Sequence, residues 1–422
     1  MSSVPKVWRA IGTTALLVVA GACDGASSPD PRLRAFVQLS GGERMTCGVT
    51  VTGDAFCWGL DRAGTLGAVA PEQCDLSDPS GGRPCSTRPQ LVAGGHRFKS
   101  VSAGGEHVCG LVESGDVYCW GSNVTGTLGN GTRTPSSTPI RVNAGPYTAV
   151  SAGLRHTCAL TAGGEVDCWG DAGAGQLGVP IETLCPGSVG ICGTVPVRVA
   201  TTQRFAAVHA GFDATCALTS VGEVWCWGSN NFGHLGDGTT RGRATPAPVA
   251  GTHRFRSLNV GVASVCGVTT DGVGYCWGSN IGGVLGIGSE TESRVPVPVS
   301  GGLTFSDISV SRGNTIFTLA CGLTQSGAAH CWGSNFDGAL GVETVGDRCY
   351  PSLVLPEPQL ACSKTPVAVS GGLHFSAITT GFSSACGISF EGTAYCWGSN
   401  RYGALGNGTT VASSTPVQVA VP

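Results

Sequence analysis

The chain has 422 residues, 68 of them glycine, with only 12% charged residues and a net charge of −3. An apolar fraction of 41% is enough for a core and excludes a disordered chain. The near-neutral charge and the lack of a basic stripe exclude a partner such as a nucleic-acid backbone.

At the N-terminus, Lys6 and Arg9 precede an apolar run from Ala10 to Ala20. A bilayer-spanning helix needs about 20 apolar residues, so this run reads as the core of a secretory signal instead. Ala20-Gly21-Ala22 is a small-x-small cleavage site, and Cys23 follows at once. Residues 1–22 are read as a signal peptide and 23–34 as a flexible tether. The segment resembles a bacterial lipobox with Cys23 as the lipidated N-terminus, except that Ala20 stands where that pattern usually has Leu. Ordinary secretion with cleavage after Ala22 is the other reading.

Residues 35–422 form a single domain built from one repeat. Seven Trp-Gly steps mark it: Trp58, Trp120, Trp169, Trp227, Trp277, Trp332 and Trp397. Six residues after each Trp comes a Gly, and Leu-Gly follows at positions eight and nine, from Leu66-Gly67 to Leu405-Gly406. Each unit holds four short strand candidates with period-two alternation, separated by Gly, Ser and Thr. In the clearest copy these are Pro196 to Val199, Phe205 to Gly211, Thr215 to Leu218 and Glu223 to Trp227.

The cysteines fall into the same frame. Seven pairs are spaced ten apart: Cys47 with Cys57, Cys109 with Cys119, Cys158 with Cys168, Cys216 with Cys226, Cys266 with Cys276, Cys321 with Cys331, and Cys386 with Cys396. Six residues after each first Cys there is a Gly, as at Gly164. Setting the two cysteines opposite each other leaves a three-residue loop ending in that Gly. Such a loop is a type I turn closed by a left-handed residue. Directly opposed residues lie about 4.5–5.5 Å apart at Cα, which is within disulfide reach. Three further pairs lie in insertions: Cys74 with Cys85, Cys185 with Cys192, and Cys349 with Cys362. Cys23 is the odd one of 21. Zinc sites normally place cysteines roughly two to four apart, a spacing not found here, so disulfides are expected and no metal or cofactor is.

Alternation sets Cys158, Leu160, Val166 and Cys168 on one face of their hairpin and Asp167 and Trp169 on the other. Both faces carry apolar groups and need cover, which blades stacked in a ring provide. The expectation is an all-β, seven-bladed β-propeller of four-stranded blades. Phe36 opens the repeats with no Pro-Val strand before it, and Pro416 to Val419 ends them with no unit after it. The C-terminal strand is therefore expected to join the first blade and close the ring. Insertions at 68–88, 179–194 and 342–364 occupy one repeat position and should share one face.

The run Gly-x-x-His-Thr-Cys-Ala-Leu-Thr-x-x-Gly-Glu-Val-x-Cys-Trp-Gly-x-x-x-x-Gly-x-Leu-Gly from Gly153 resembles the regulator of chromosome condensation repeat. The resemblance covers nearly all of 35–420 and implies a seven-bladed propeller. That family includes nuclear guanine-nucleotide exchange factors, and its superfamily includes a secreted bacterial β-lactamase inhibitory protein. The repeated Cys pair departs from the nuclear members and looks like an exported bacterial branch.

No catalytic constellation stands out. His107 and His156 share a repeat position that Met45, Ala214, Ser264, Leu319 and Ser384 fill elsewhere, which reads as structural. The recurrent Ser-Asn after Trp-Gly reads as local turn bonding. The expected function is an extracytoplasmic binding or scaffold protein, monomeric and not an enzyme. It would recognise a protein or glycan through the insertion face and contact the membrane only through a lipid anchor. The alternatives are nucleotide exchange, which export disfavours, and a carbohydrate-active enzyme using loop acids such as Glu72, Asp75, Asp78, Glu343 and Asp347.

Overall fold

The computed structural model describes residues 35–75, 82–180, 193–312, 317–350 and 359–421. The signal-like segment, the tether with Cys23, and Asp78 lie outside these residues. So does the expected pair of Cys185 with Cys192. Seven antiparallel sheets form the ring. The third blade shows the plan: Ala149–Ala152, His156–Leu160, Val166–Gly170 and Gly193–Arg198, hydrogen-bonded in that order from the channel outward. The first and sixth sheets gain a fifth short strand from their insertions, Glu72–Cys74 and Asp347–Cys349.

The hairpin register is as expected. Cys47 faces Cys57, Cys109 faces Cys119, Cys158 faces Cys168 and Cys216 faces Cys226. Likewise Cys266 faces Cys276, Cys321 faces Cys331 and Cys386 faces Cys396. Cα atoms of these seven pairs lie 4.0–4.1 Å apart, closer than the spacing expected for opposed residues, and each pair is at bonding distance. The Gly164 N–H donates to the Thr161 carbonyl at 3.0 Å, with Gly164 at φ +79°, a conformation in which Gly carries no Cβ penalty. In the insertions, Cys74 with Cys85 and Cys349 with Cys362 are also at bonding distance, with Cα atoms 5.8 Å apart in each pair.

Ring closure differs from the expectation. The C-terminal strand Ser413–Gln418 pairs with Ala394–Gly398 of its own hairpin, through Cys396↔Val417 and Tyr395↔Gln418. The first blade has no vacancy for it, because Arg83–Leu91 already fills its outer edge against Ala55–Leu60. The loop after each Trp folds back antiparallel, so the Pro-Val strand completes the preceding hairpin rather than opening the next unit.

The ring closes instead through the junction that joins every neighbouring pair. The Cys face of one blade packs on the Trp face of the next: Cys158, Leu160, Val166 and Cys168 cluster with Phe205, Val208 and Trp227. All seven Trp side chains are fully buried. Each indole sits against the Leu-Gly glycine of the preceding blade, whose missing Cβ leaves room for it, as Gly129 does for Trp169. Six of the seven indoles also donate to the carbonyl of the residue before that Leu, as Trp169 Nε1 does to Thr127 O at 2.8 Å. The spacing of Trp-Gly and Gly-x-Leu-Gly is thus the spacing between a key and the seat for its neighbour.

Candidate functional site

Topology decides which side of the ring is free to vary. The inner strand and the first hairpin strand meet at one face, where Gly41 opposes Thr46, and the second hairpin strand returns to that face at Gly59. The described parts of the turns after the inner strands, of the Trp-Gly loops and of the insertions at 68–88 and 342–364 therefore emerge together there. The opposite face carries the tight Cys-hairpin turns.

On the insertion face, blades six, seven and one enclose a cavity of about 290 Å³. Phe317 and Phe382 come from turns after inner strands, and Phe336 and Tyr402 from Trp-Gly loops. Phe317 stacks on Phe336 with ring centroids 4.2 Å apart, and Phe382 stands edge-on to Phe317 at 6.1 Å. The Arg44 guanidinium lies 5.1 Å from the Phe382 ring centre and 5.4 Å from that of Tyr402, within cation–π range.

The first insertion braces this pocket. Asp75 accepts from Arg401 at 2.9 Å and from the Tyr402 hydroxyl at 3.3 Å. Tyr402 also packs with Leu60, Cys74 and Cys85 in a small separate core. Four non-glycine residues have positive φ among the described residues: Arg44 (63°), Ala63 (57°), Asp75 (55°) and Asp337 (53°). All four lie on the insertion face, and Arg44 and Asp337 line the pocket itself. Each left-handed residue costs about 1 kcal/mol, and such strain collects at ligand clamps. At this junction the buried Trp397 Nε1 is the one repeat indole without an acceptor among the described residues.

The aromatic residues and Arg44 of the pocket were not singled out from sequence, whereas Asp75, which braces it, was named only as a loop acid. The signal available was copy-specific: aromatics at the two free positions after Ser-Asn, as in Asn335-Phe336 and Arg401-Tyr402. The Ser-Asn reading itself holds. Asn123 Oδ1 accepts from Leu128 N at 3.0 Å while its Nδ2 donates to two loop carbonyls, and Asn230, Asn280 and Asn400 repeat the arrangement.

Two loop acids weighed as catalytic groups are engaged locally. Glu72 accepts from the backbone and hydroxyl of Thr87, and Asp347 accepts from Lys364 N. His107 and His156 are buried, with Nε2 2.8 Å from Thr157 and Thr215 hydroxyls of the next blade. Each threonine donates its hydroxyl hydrogen to a loop carbonyl, Thr127 O or Gln176 O, so each imidazole donates from Nε2. Burial pushes both imidazoles down to about 3, which keeps them neutral.

A closed seven-bladed propeller with its variable loops and an aromatic–arginine pocket on one face is the class of protein this geometry defines. The family model for the RCC1-like domain matches residues 19–378, and models of the regulator of chromosome condensation (RCC1) repeat match 375–404 and 391–422. The chain belongs to the RCC1-like domain family. It is 29% identical to the Arabidopsis thaliana ultraviolet-B receptor UVR8 over 216 residues, 50% of this chain and 44% of that protein. It is 29% identical to the Homo sapiens E3 ubiquitin-protein ligase HERC2 over 391 residues, 91% of this chain but 5% of that protein. The chain thus matches under half the length of these relatives. Among solved structures, Saccharomyces cerevisiae Prp20p superposes with a TM-score of 0.69 at 19% identity, covering 92% of this chain and 88% of that one, which shows the shared fold.

Proposed function

We propose that this protein is an exported binding or scaffold propeller that docks a protein or glycan partner on its insertion face. The observation that carries this reading is the pocket walled by Phe317, Phe336, Phe382 and Tyr402 beneath Arg44, concave, strained and braced by an inserted loop. Aromatic faces with an adjacent guanidinium suit either an anchoring side chain of a protein partner or the apolar face of a sugar ring. A family relative is consistent with a binding role: Prp20p is characterised for its binding to Gsp1p and histones. Export is supported by the many cysteine pairs at bonding distance, which an oxidising compartment favours, and by the signal-like residues 1–22.

The test compares three forms of the propeller as bait for envelope proteins and glycans: the wild type, a pocket variant (Phe336→Ser with Phe382→Ser) and an opposite-face variant (Val51→Ser with Phe390→Ser). The expected partner is retained by the wild type and the opposite-face variant and lost by the pocket variant. Retention by the pocket variant would overturn the reading.

A further inference from the structure

The central channel holds a second polar site, separate from the insertion-face pocket. Its wall is the fifth residue of each inner strand counted from the aromatic: Ser40, Ser102, Ser151, His209, Asn259, Ser309 and Thr379. Six of these accept a hydrogen bond from the backbone N–H of the next blade, at 2.9–3.1 Å. The series runs across the junction of blades seven and one, where Gly41 N donates to Thr379 Oγ1 at 3.0 Å. His209 is the exception. The hydroxyls of Ser40, Ser102, Ser151 and Thr379 accept in this way, and their own hydrogens have no acceptor among the described residues. These four lie on consecutive blades. Asn259 uses Oδ1 in its ring bond, leaving its amide hydrogens for the channel.

Arg312 supplies the charge. It follows the sixth inner strand and reaches across the channel mouth, where Nη1 donates to Ala152 O of the third blade at 3.2 Å. No carboxylate lies within salt-bridge distance of it among the described residues. The one acid in the wall, Asp307, faces Arg256 and Ser257, and burial raises its carboxyl above the usual range. Burial lowers the Arg312 guanidinium to about 10, with no acidic neighbour to oppose the shift, so it remains a cation at neutral pH. The channel cavity of about 330 Å³ therefore presents hydroxyl and amide donors beside the Arg312 guanidinium. A guanidinium keeps four N–H donors after one bond to a carbonyl, and its planar fork matches oxyanion geometry.

We propose that the channel binds one small oxyanion, of phosphate or sulfate size, between Arg312 and the hydroxyls of blades seven, one, two and three. Bound there, the anion would neutralise the cation and tie four blades across the ring. Equilibrium dialysis of the full chain with labelled inorganic phosphate and labelled sulfate, at constant ionic strength in chloride, tests this directly. The expected result is saturable uptake of one ion per chain that chloride does not displace at equal concentration. Arg312→Gln, which removes the charge, should weaken uptake at least tenfold while near-ultraviolet circular dichroism of the buried indoles stays unchanged. No saturable uptake by the wild type would overturn the proposal, as would equal uptake by Arg312→Gln. The wild-type measurement stands alone should that variant fail to fold.

Discussion

The indole N–H of Trp58 in the first blade donates to the backbone carbonyl of Ala404 in the seventh at 2.9 Å, across 346 positions of sequence. The same bond spans five of the other six junctions, so the two ends of the repeat meet as successive internal copies do. Closure needs no exchanged strand. The last Leu-Gly seats the first Trp instead.

Gly406→Ala tests that closure. A Cβ at Gly406 would lie 2.7 Å from Trp58 Nε1, at φ +66°. Crowding and the left-handed backbone together predict a loss of roughly 2–4 kcal/mol. Gly129→Ala, with its Cβ 2.8 Å from Trp169 Nε1, should cost the same within error, since it sits at an internal junction. Chemical denaturation of both variants checks this. A neutral Gly406→Ala beside a damaging Gly129→Ala would mean the ring is open.

Acid should destabilise the protein through its interface histidines. His107 and His156 are neutral in the fold, lowered to about 3 by burial, and take up a proton on unfolding below their ordinary value of 6.5. Their contribution is complete above about pH 6.5 and is lost as pH falls toward 3. At pH 5 each should contribute about 2 kcal/mol less than at pH 7. Replacing both by Gln, which can still donate to the threonine hydroxyls, should flatten the decline of melting temperature between pH 7 and pH 5. An unchanged slope would show that other groups set it.

The bridge between Cys74 and Cys85 should matter more to binding than to folding. Closing a loop of 11 residues stabilises by at most about 3 kcal/mol in the chain-entropy model, and the paired strands on either side reduce that figure. Yet the two cysteines pack on Tyr402 in the pocket wall. Cys74→Ser with Cys85→Ser should lower the melting temperature by a few degrees and weaken partner binding several-fold. Equal binding by calorimetry would detach the insertion from the site.

Cys23→Ser addresses anchoring. If Cys23 is lipidated, the wild type fractionates with membranes and the variant appears in the soluble extract. Identical fractionation of the two would leave ordinary secretion as the reading.

The repeated parts of this molecule were legible because each physical requirement recurs seven times. Turn Gly164, the register of Cys158 against Cys168 and the opposed Trp169 face each follow from local geometry, and each is found as read. The ownership of the Pro-Val strand was not legible. Pro196 lies far closer in sequence to Phe205 than to Trp169, whereas pairing follows the fold-back of the loop between them. The pocket was illegible for another reason. Arg44, Phe317, Phe336 and Tyr402 occupy variable positions of three different blades, and only ring closure brings Arg44 beside Tyr402.

Partner binding is proposed to take place on one face of the closed ring. Hydrogen exchange of the oxidised propeller, with and without its captured partner, reads that face directly. Binding should protect amides at 42–46, 334–340, 381–384 and 399–405 and leave the hairpin turns at 51–54, 220–223 and 390–393 unchanged. Protection confined to those turns would place the partner on the other side of the disc and contradict the account.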